Sequence, residues 1–157
     1  MTAPAETETL GLVRLLSACR DDAAALATAL DQLGIAICLY DPEDRVVLWN
    51  ESYLTFFPEQ RDTIAPGTPY ADTLRRFFGI NLADSQRDRL ERHVEAAVQR
   101  HRSQTAPFTF QLRTGRWLKV ASLPMAAGGR VRLWRDTSEE QPATTRRSAD
   151  RALASLD

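Results

Sequence analysis

The side chains whose types and spacing could do chemistry are few: the carboxylates Asp41, Glu43 and Asp44, the histidines His93 and His101, and the cysteines Cys19 and Cys38. The three carboxylates surround Pro42, a turn pattern in which aspartate bonds its own backbone, so a turn is the plainer reading than an acid–base cluster. The cysteines have no CxxC or metal-ligand spacing and sit in apolar contexts, which predicts buried structural thiols and a reducing cytoplasm. His101 falls near the middle of a helical apolar stripe with Leu90, Val94 and Ala97, and His93 falls at its edge. Arg100 and Arg102 flank His101 near the helix end, where a histidine is commonly a partly exposed partner of the helix dipole. There is no Gly-rich phosphate loop, nucleophile elbow or HExxH motif. No catalytic or metal-ligating set is therefore expected, and the chain reads as a protein that is not an enzyme.

The bulk properties are those of an ordinary globular domain. In 157 residues, 43% hydrophobic content is enough for a core without disulfide or metal staples. The charge, −1 from 20 basic and 21 acidic residues, predicts neither a nucleic-acid nor a membrane surface. The N-terminus, MTAPAETETL, has no basic or apolar leader pattern, so no secretory signal is expected.

The elements that must position these residues can be read from periodicity. Residues 1–9 are polar and expected to be disordered. Residues 10–33 carry no proline and are followed by Gly34, which predicts a long helix with glycine just past its end. Within it Leu12, Leu16, Cys19, Ala23, Leu26, Leu30 and Leu33 form an a/d seam over three heptads. Ile35–Tyr40 and Arg45–Trp49 predict a β-hairpin around the Asp41–Asp44 turn, and Asn50 predicts an N-cap for a short helix over Glu51–Phe57. Thr68-Pro69 predicts a second helix that Gly79 ends, with Tyr70, Leu74, Phe77 and Phe78 on one face. A third helix is predicted over 85–102, with Ser85 and Asp88 as a weak capping box. After Pro107 the period changes to two: strands at 108–113, 116–123 and 130–136, joined by turns at Thr114-Gly115 and Gly128-Gly129. The fold class is α+β: a five-stranded antiparallel sheet with helices on one side, preceded by the long helix. Residues 34–140 form the domain, and 141–157 are a polar tail with one weak helix expected near 149–156.

In this order the chain resembles a PAS domain. The stretch LDQLGIAICLYDPEDRVVLWNESYLTFF is similar to a subtype found in bacterial sensor kinases and diguanylate cyclases, with Asn50 ending the second strand. A PGTPY-like segment follows at Pro66–Tyr70 and a GRWLKV-like strand at Gly115–Val120. The closing junction, Asp-Ile-Thr-Glu in the family, is Asp136-Thr137-Ser138-Glu139 here, and Pro142 interrupts the path beyond it. The chain is then either a free-standing domain or a piece of a longer protein.

The resemblance implies a small-molecule pocket between sheet and helices. Its candidate lining residues are Tyr40, Trp49, Tyr53, Phe56, Tyr70, Leu74, Phe77, Phe78 and His101. No polar anchor set is evident, which favours the alternative that the aromatics fill the core. The family's haem binders imply His93 or His101 as iron ligand. Its covalent flavin adduct needs a cysteine on a helix after the hairpin, and Cys38 is the last cysteine, so that adduct is excluded. The cofactor stays unknown. The resemblance also implies roles for Asn50 as the structural cap and Asp136 as an ion pair at the signal junction. Loss of Asp136 is expected to spare the fold and weaken signalling.

The heptad seam is read as a homodimer interface through Leu12, Leu16, Cys19, Ala23, Leu26 and Leu30, with packing on the chain's own sheet as the alternative. The expectation is a cytoplasmic sensory or regulatory domain relaying the state of a small molecule or partner through a dimer to a histidine kinase, diguanylate cyclase or other signalling protein. The alternatives are a ligand-free interaction module and a small cone-fold lyase or isomerase, which would need an acid or base in its pocket.

Overall fold

A computed structural model of the chain describes residues 21–141. Residues 1–20 and 142–157 lie outside it, and with them Leu12, Leu16, Cys19, the polar N-terminus and the tail.

Helix α1 occupies 21–31 of the described residues. It ends in a Schellman motif: Gly34 N–H donates to the Asp31 carbonyl and Ile35 N–H to the Leu30 carbonyl, each at 3.1 Å. Gly34 adopts φ 67°, which costs glycine little. Strands β1 (Ala36–Tyr40) and β2 (Val46–Trp49) follow as the expected hairpin. The Asp41 carboxylate accepts from the N–H groups of Glu43 and Arg45, both at 2.9 Å. Asp44 takes φ 59°, the one non-glycine residue in the left-handed region among those described. Helix α2 (Glu51–Phe56) is capped as the sequence indicates, by Asn50.

Two boundaries differ from expectation. Helix α3 runs from Tyr70 to Asn81, with Gly79 inside it. Asn81 Nδ2 donates to the Phe77 carbonyl, so the last turn is tied without a glycine stop. Thr68 is not its cap, because the Thr68 hydroxyl accepts from Ala65 N–H and its carbonyl from Val46 N–H. The loop around Thr68 thereby pairs with the edge of β2. The third predicted helix divides into a 3₁₀ segment, Asp84–Arg89, and α4, Leu90–Ser103, with no capping side chain at either start. The expected Ser85–Asp88 box does not form; in the leading 3₁₀ turn Gln86 N–H donates to the Ala83 carbonyl at 2.8 Å instead.

Strands β3 (Phe108–Gln111), β4 (Trp117–Pro124) and β5 (Arg130–Asp136) complete one antiparallel sheet in the order β2-β1-β5-β4-β3. The first and last strands in sequence are thus neighbours, with Ala36 opposite Trp134 and Tyr40 opposite Arg130. Alternation sends Ala36, Cys38, Tyr40, Leu118, Val120, Arg132 and Trp134 to the buried face. Helices α2, α3 and α4 cover that face with Tyr53, Leu54, Tyr70, Leu74, Val94 and Ala97, and Phe57 follows α2. This is the α+β architecture expected, and it displaces the cone-fold alternative. Among the described residues no helix is long and apolar enough to cross a membrane.

Candidate functional site: an aromatic cavity with a buried arginine

A cavity of about 240 Å³ lies between the sheet and helices α3 and α4 and is partly open to solvent. Tyr40, Tyr53, Tyr70, Leu74, Phe77 and Phe78 of the expected set line it. Trp49 and Phe56 do not; they pack against the core elsewhere. Sequence reasoning missed Phe57, Gln60, Thr73, Phe108, Phe110 and Trp134 as lining residues, and above all the two cations Arg100 and Arg132.

The aromatic walls are mutually packed. Trp134 packs on Tyr53 in a tilted and on Phe57 in an edge-to-face arrangement, at 5.4 and 5.3 Å between ring centroids, and Phe77 bridges Phe57 and Phe78 at 5.8 and 5.2 Å. Gln60 is buried at the end of the 3₁₀ turn Pro58–Gln60 that follows α2, and its Nε2 donates to the Thr73 carbonyl at 2.7 Å.

Arg132 is the group that composition alone would not place here. It projects from the inner face of β5 and is only 5% exposed. Its Nη1 donates to the Tyr70 hydroxyl and lies 3.5 Å from His101 Nδ1. Its Nη2 reaches Gln104 Oε1 at 3.4 Å, and its Nε has no hydrogen-bond partner among the described residues. The guanidinium carbon is 5.5 Å from the Tyr70 ring centroid and 5.4 Å from that of Trp134. Arg130, two residues earlier, donates to Ser122 Oγ at 2.9 Å and to the Gln104 carbonyl at 2.6 Å, pinning the loop after α4 to the sheet.

His101 is fully buried, against the expectation of a partly exposed helix-end residue. The reason is tertiary: the β1–β2 turn and β5 close over the end of α4. Asp44 Oδ1 lies 3.4 Å from His101 Nε2, and Asp44 Oδ2 accepts from Arg102 Nε at 2.8 Å. Tyr70 and Tyr40 pack on the imidazole at 4.2 and 4.9 Å. Burial first, then the nearby Arg132 charge, pushes the His101 pKa down to about 4, against a smaller opposing pull from Asp44. His101 is therefore neutral at physiological pH. It does not line the cavity, and its two nitrogens face Arg132 and Asp44. His93 packs on the Phe78 ring at 5.5 Å and does not line the cavity either. The residues present do not fit haem ligation. Cys38 is also buried, its thiol pushed up to about 12 mainly by that burial, which leaves it unreactive at neutral pH.

Two junction residues complete the site's frame. Asn50 Oδ1 accepts from Ile37 N–H at 3.1 Å and Tyr53 N–H at 3.2 Å, while its Nδ2 donates to the Ala27 and Ile35 carbonyls, each at 2.9 Å. Asp31 adds a second cap, accepting from Ser52 N–H at 2.8 Å. Helix α1, strand β1 and helix α2 thus meet at one amide. At the other end Asp136 accepts from Arg116 Nε at 2.6 Å and Ser138 N–H at 2.8 Å. Partial burial raises its pKa, but the bonds from Ser138 and Arg116 outweigh this and hold it below the ordinary value. The 3₁₀ turn Ser138–Glu140 follows directly.

A sheet in this order, with three helices over one face and a cavity between, defines a sensor-type α+β domain. The sequence model of the PAS fold matches residues 30–145, and the chain belongs to that family of sensory signalling domains. A search of curated proteins gave no match. Among solved structures, the chain is similar to the sensor region of a sensor histidine kinase, at 18% identity and TM-score 0.45 over 68% of this chain and 40% of that one. The chain therefore spans well under half of that sensor region. It is also similar to a PAS domain from Colwellia psychrerythraea, at 17% identity and TM-score 0.41 over 79% of this chain and 98% of the other.

Proposed function

We propose that this domain is a cytoplasmic ligand sensor: a small molecule held in the cavity biases the packing of helices on sheet, and a homodimer relays that bias to a histidine kinase, diguanylate cyclase or other signalling partner. The observation that carries this reading is the cavity itself. Its walls are largely aromatic, and polar groups such as Gln60, Thr73 and Arg132 are held among them by hydrogen bonds, the pattern of a small-molecule site. The relay would run through the two junctions that the sheet connects, Asn50 at the entry from α1 and Asp136 at the exit from β5. A population shift needs only differential binding of the ligand to two packings of these elements.

The test is to identify what leaves the protein on denaturation after purification from its own host. A compound released in stoichiometric amount from the native chain, and absent from Ala97→Phe, whose ring would fill the cavity, supports the reading. Equal release from both contradicts it.

A second reading has its own observation. Leu26 and Leu33 of the seam are 59% and 72% exposed, an apolar surface suited to a protein partner with no ligand involved. In that case no compound is released and a partner copurifies.

A further inference from the structure

The cavity holds charge of one sign only. Two guanidinium groups line it, Arg132 and Arg100, and no Asp or Glu among the described residues does. A buried cation without an anion carries a large desolvation cost, so its partners decide how it is tolerated. Each partner of Arg132 is neutral. The Tyr70 phenol is pushed up by burial, against the pull of Arg132, and stays protonated. His101 is neutral for the reasons given above, and Gln104 is an amide. The one carboxylate in the network, Asp44, lies on the far side of the His101 ring and is already paired with Arg102. The Arg132 Nε–H has no acceptor among the described residues. Arg100 stands on the exposed side of α4 with its guanidinium carbon 5.5 Å from the Phe108 ring centroid, at the edge of the same cavity.

Resting on the ligand-sensor reading, we infer that the cavity selects a small monoanion: a molecule with an aromatic or apolar body, seated among Phe57, Phe77 and Trp134, and a carboxylate that pairs with Arg132. A carboxylate suits Arg132 because a charge-assisted bond to a guanidinium is about twice as strong as a neutral one, and it brings a counter-charge that none of the present partners of Arg132 carries. The apolar walls then recognise the body by burial, and Tyr70, already bonded to Arg132, helps to fix the headgroup position. Arg100 adds a weaker, solvent-screened attraction at the mouth.

Calorimetric titration of the full chain with benzoate, phenylacetate and indole-3-acetate, each against its primary amide, tests this. The acids should bind about tenfold or more tighter than their amides, the scale of one charge-assisted pair. Arg132→Gln should remove that preference while amide binding persists. Arg100→Gln, at an exposed position that leaves the core intact, should reduce the preference severalfold and loses none of its value if Arg132→Gln fails to fold. Acids and amides binding equally would overturn the anion assignment and leave the ligand-sensor reading standing. No binding of either series would also overturn it, and if the native chain releases no compound on denaturation, the ligand reading falls with it.

Discussion

Asn50 satisfies all four of its hydrogen-bonding positions, and every partner is a backbone group. Removing the amide takes a bond from each of them, and a buried group left unpaired costs about 1–3 kcal/mol, though relaxation and water recover part of it. Asn50→Ala should therefore destabilise the domain by roughly 2–4 kcal/mol, read as a lower urea midpoint at unchanged slope. A loss under about 1 kcal/mol, the scale of a simple cap, would show that the α1 and β1 contacts contribute little. The cap was legible from residue type, an Asn between a strand and a helix. Its bonds to Ala27 and Ile35 were not, because they depend on where α1 docks. His101 shows the opposite failure. Flanking arginines suggested exposure, and only the approach of Asp44 and Arg132 buries it. Arg132 was missed because strand alternation in Arg-Val-Arg-Leu-Trp suggests Val131 and Leu133 as the core face; the faint signal is Trp134, which shares a face with Arg132. The His101 shift also fixes a pH dependence. Its folded pKa lies below the unfolded value near 6.5, so the unfolded chain takes up the proton first. Stability should be full above about pH 6.5 and fall by roughly 3 kcal/mol towards pH 4. His101→Gln should flatten that part of the profile, and an unchanged slope would place the titration elsewhere.

Among the elements, the turns were read more securely than the helix boundaries. The hairpin turn at Asp41–Asp44, the Schellman end of α1 and the glycine turn before β5 follow from residues with special backbone preferences. The helix limits did not, because Gly79 is tolerated inside α3 and the start of α4 tightens into 3₁₀ turns. Gly129 has a role that local turn chemistry does not reveal. At φ 82°, a Cβ there would lie 2.1 Å from the Tyr40 carbonyl oxygen, so the β4–β5 turn could not approach β1 as closely. Gly129→Ala should cost at least about 2 kcal/mol by thermal or chemical unfolding, whereas Gly67→Ala, with open space around its Cβ, should cost less. Equal effects would mean that backbone strain alone, and not the contact with Tyr40, sets the requirement.

On the scale of the whole molecule, the sheet order could not be derived from local pattern. Pairing β1 with β5 joins segments that the entire helical layer separates in sequence. The cavity follows from that closure, since Arg132 and Tyr70 meet only once β5 lies beside β1. The proposed dimer belongs to this scale. Among the described seam residues, Leu26 and Leu33 are exposed, and Leu30 and Ala23 half-buried. A second copy would cover them. Leu16→Glu with Leu26→Glu should give a folded monomer by light scattering. An unchanged dimer would remove α1 from the interface, and unfolding would mean that the seam packs within the chain. The central claim, a ligand-holding dimer, is tested most directly by native mass spectrometry of the chain purified from its own host without denaturation. The expected result is twice the polypeptide mass plus a discrete small-molecule increment. A monomer at bare polypeptide mass would contradict both the sensor and the relay.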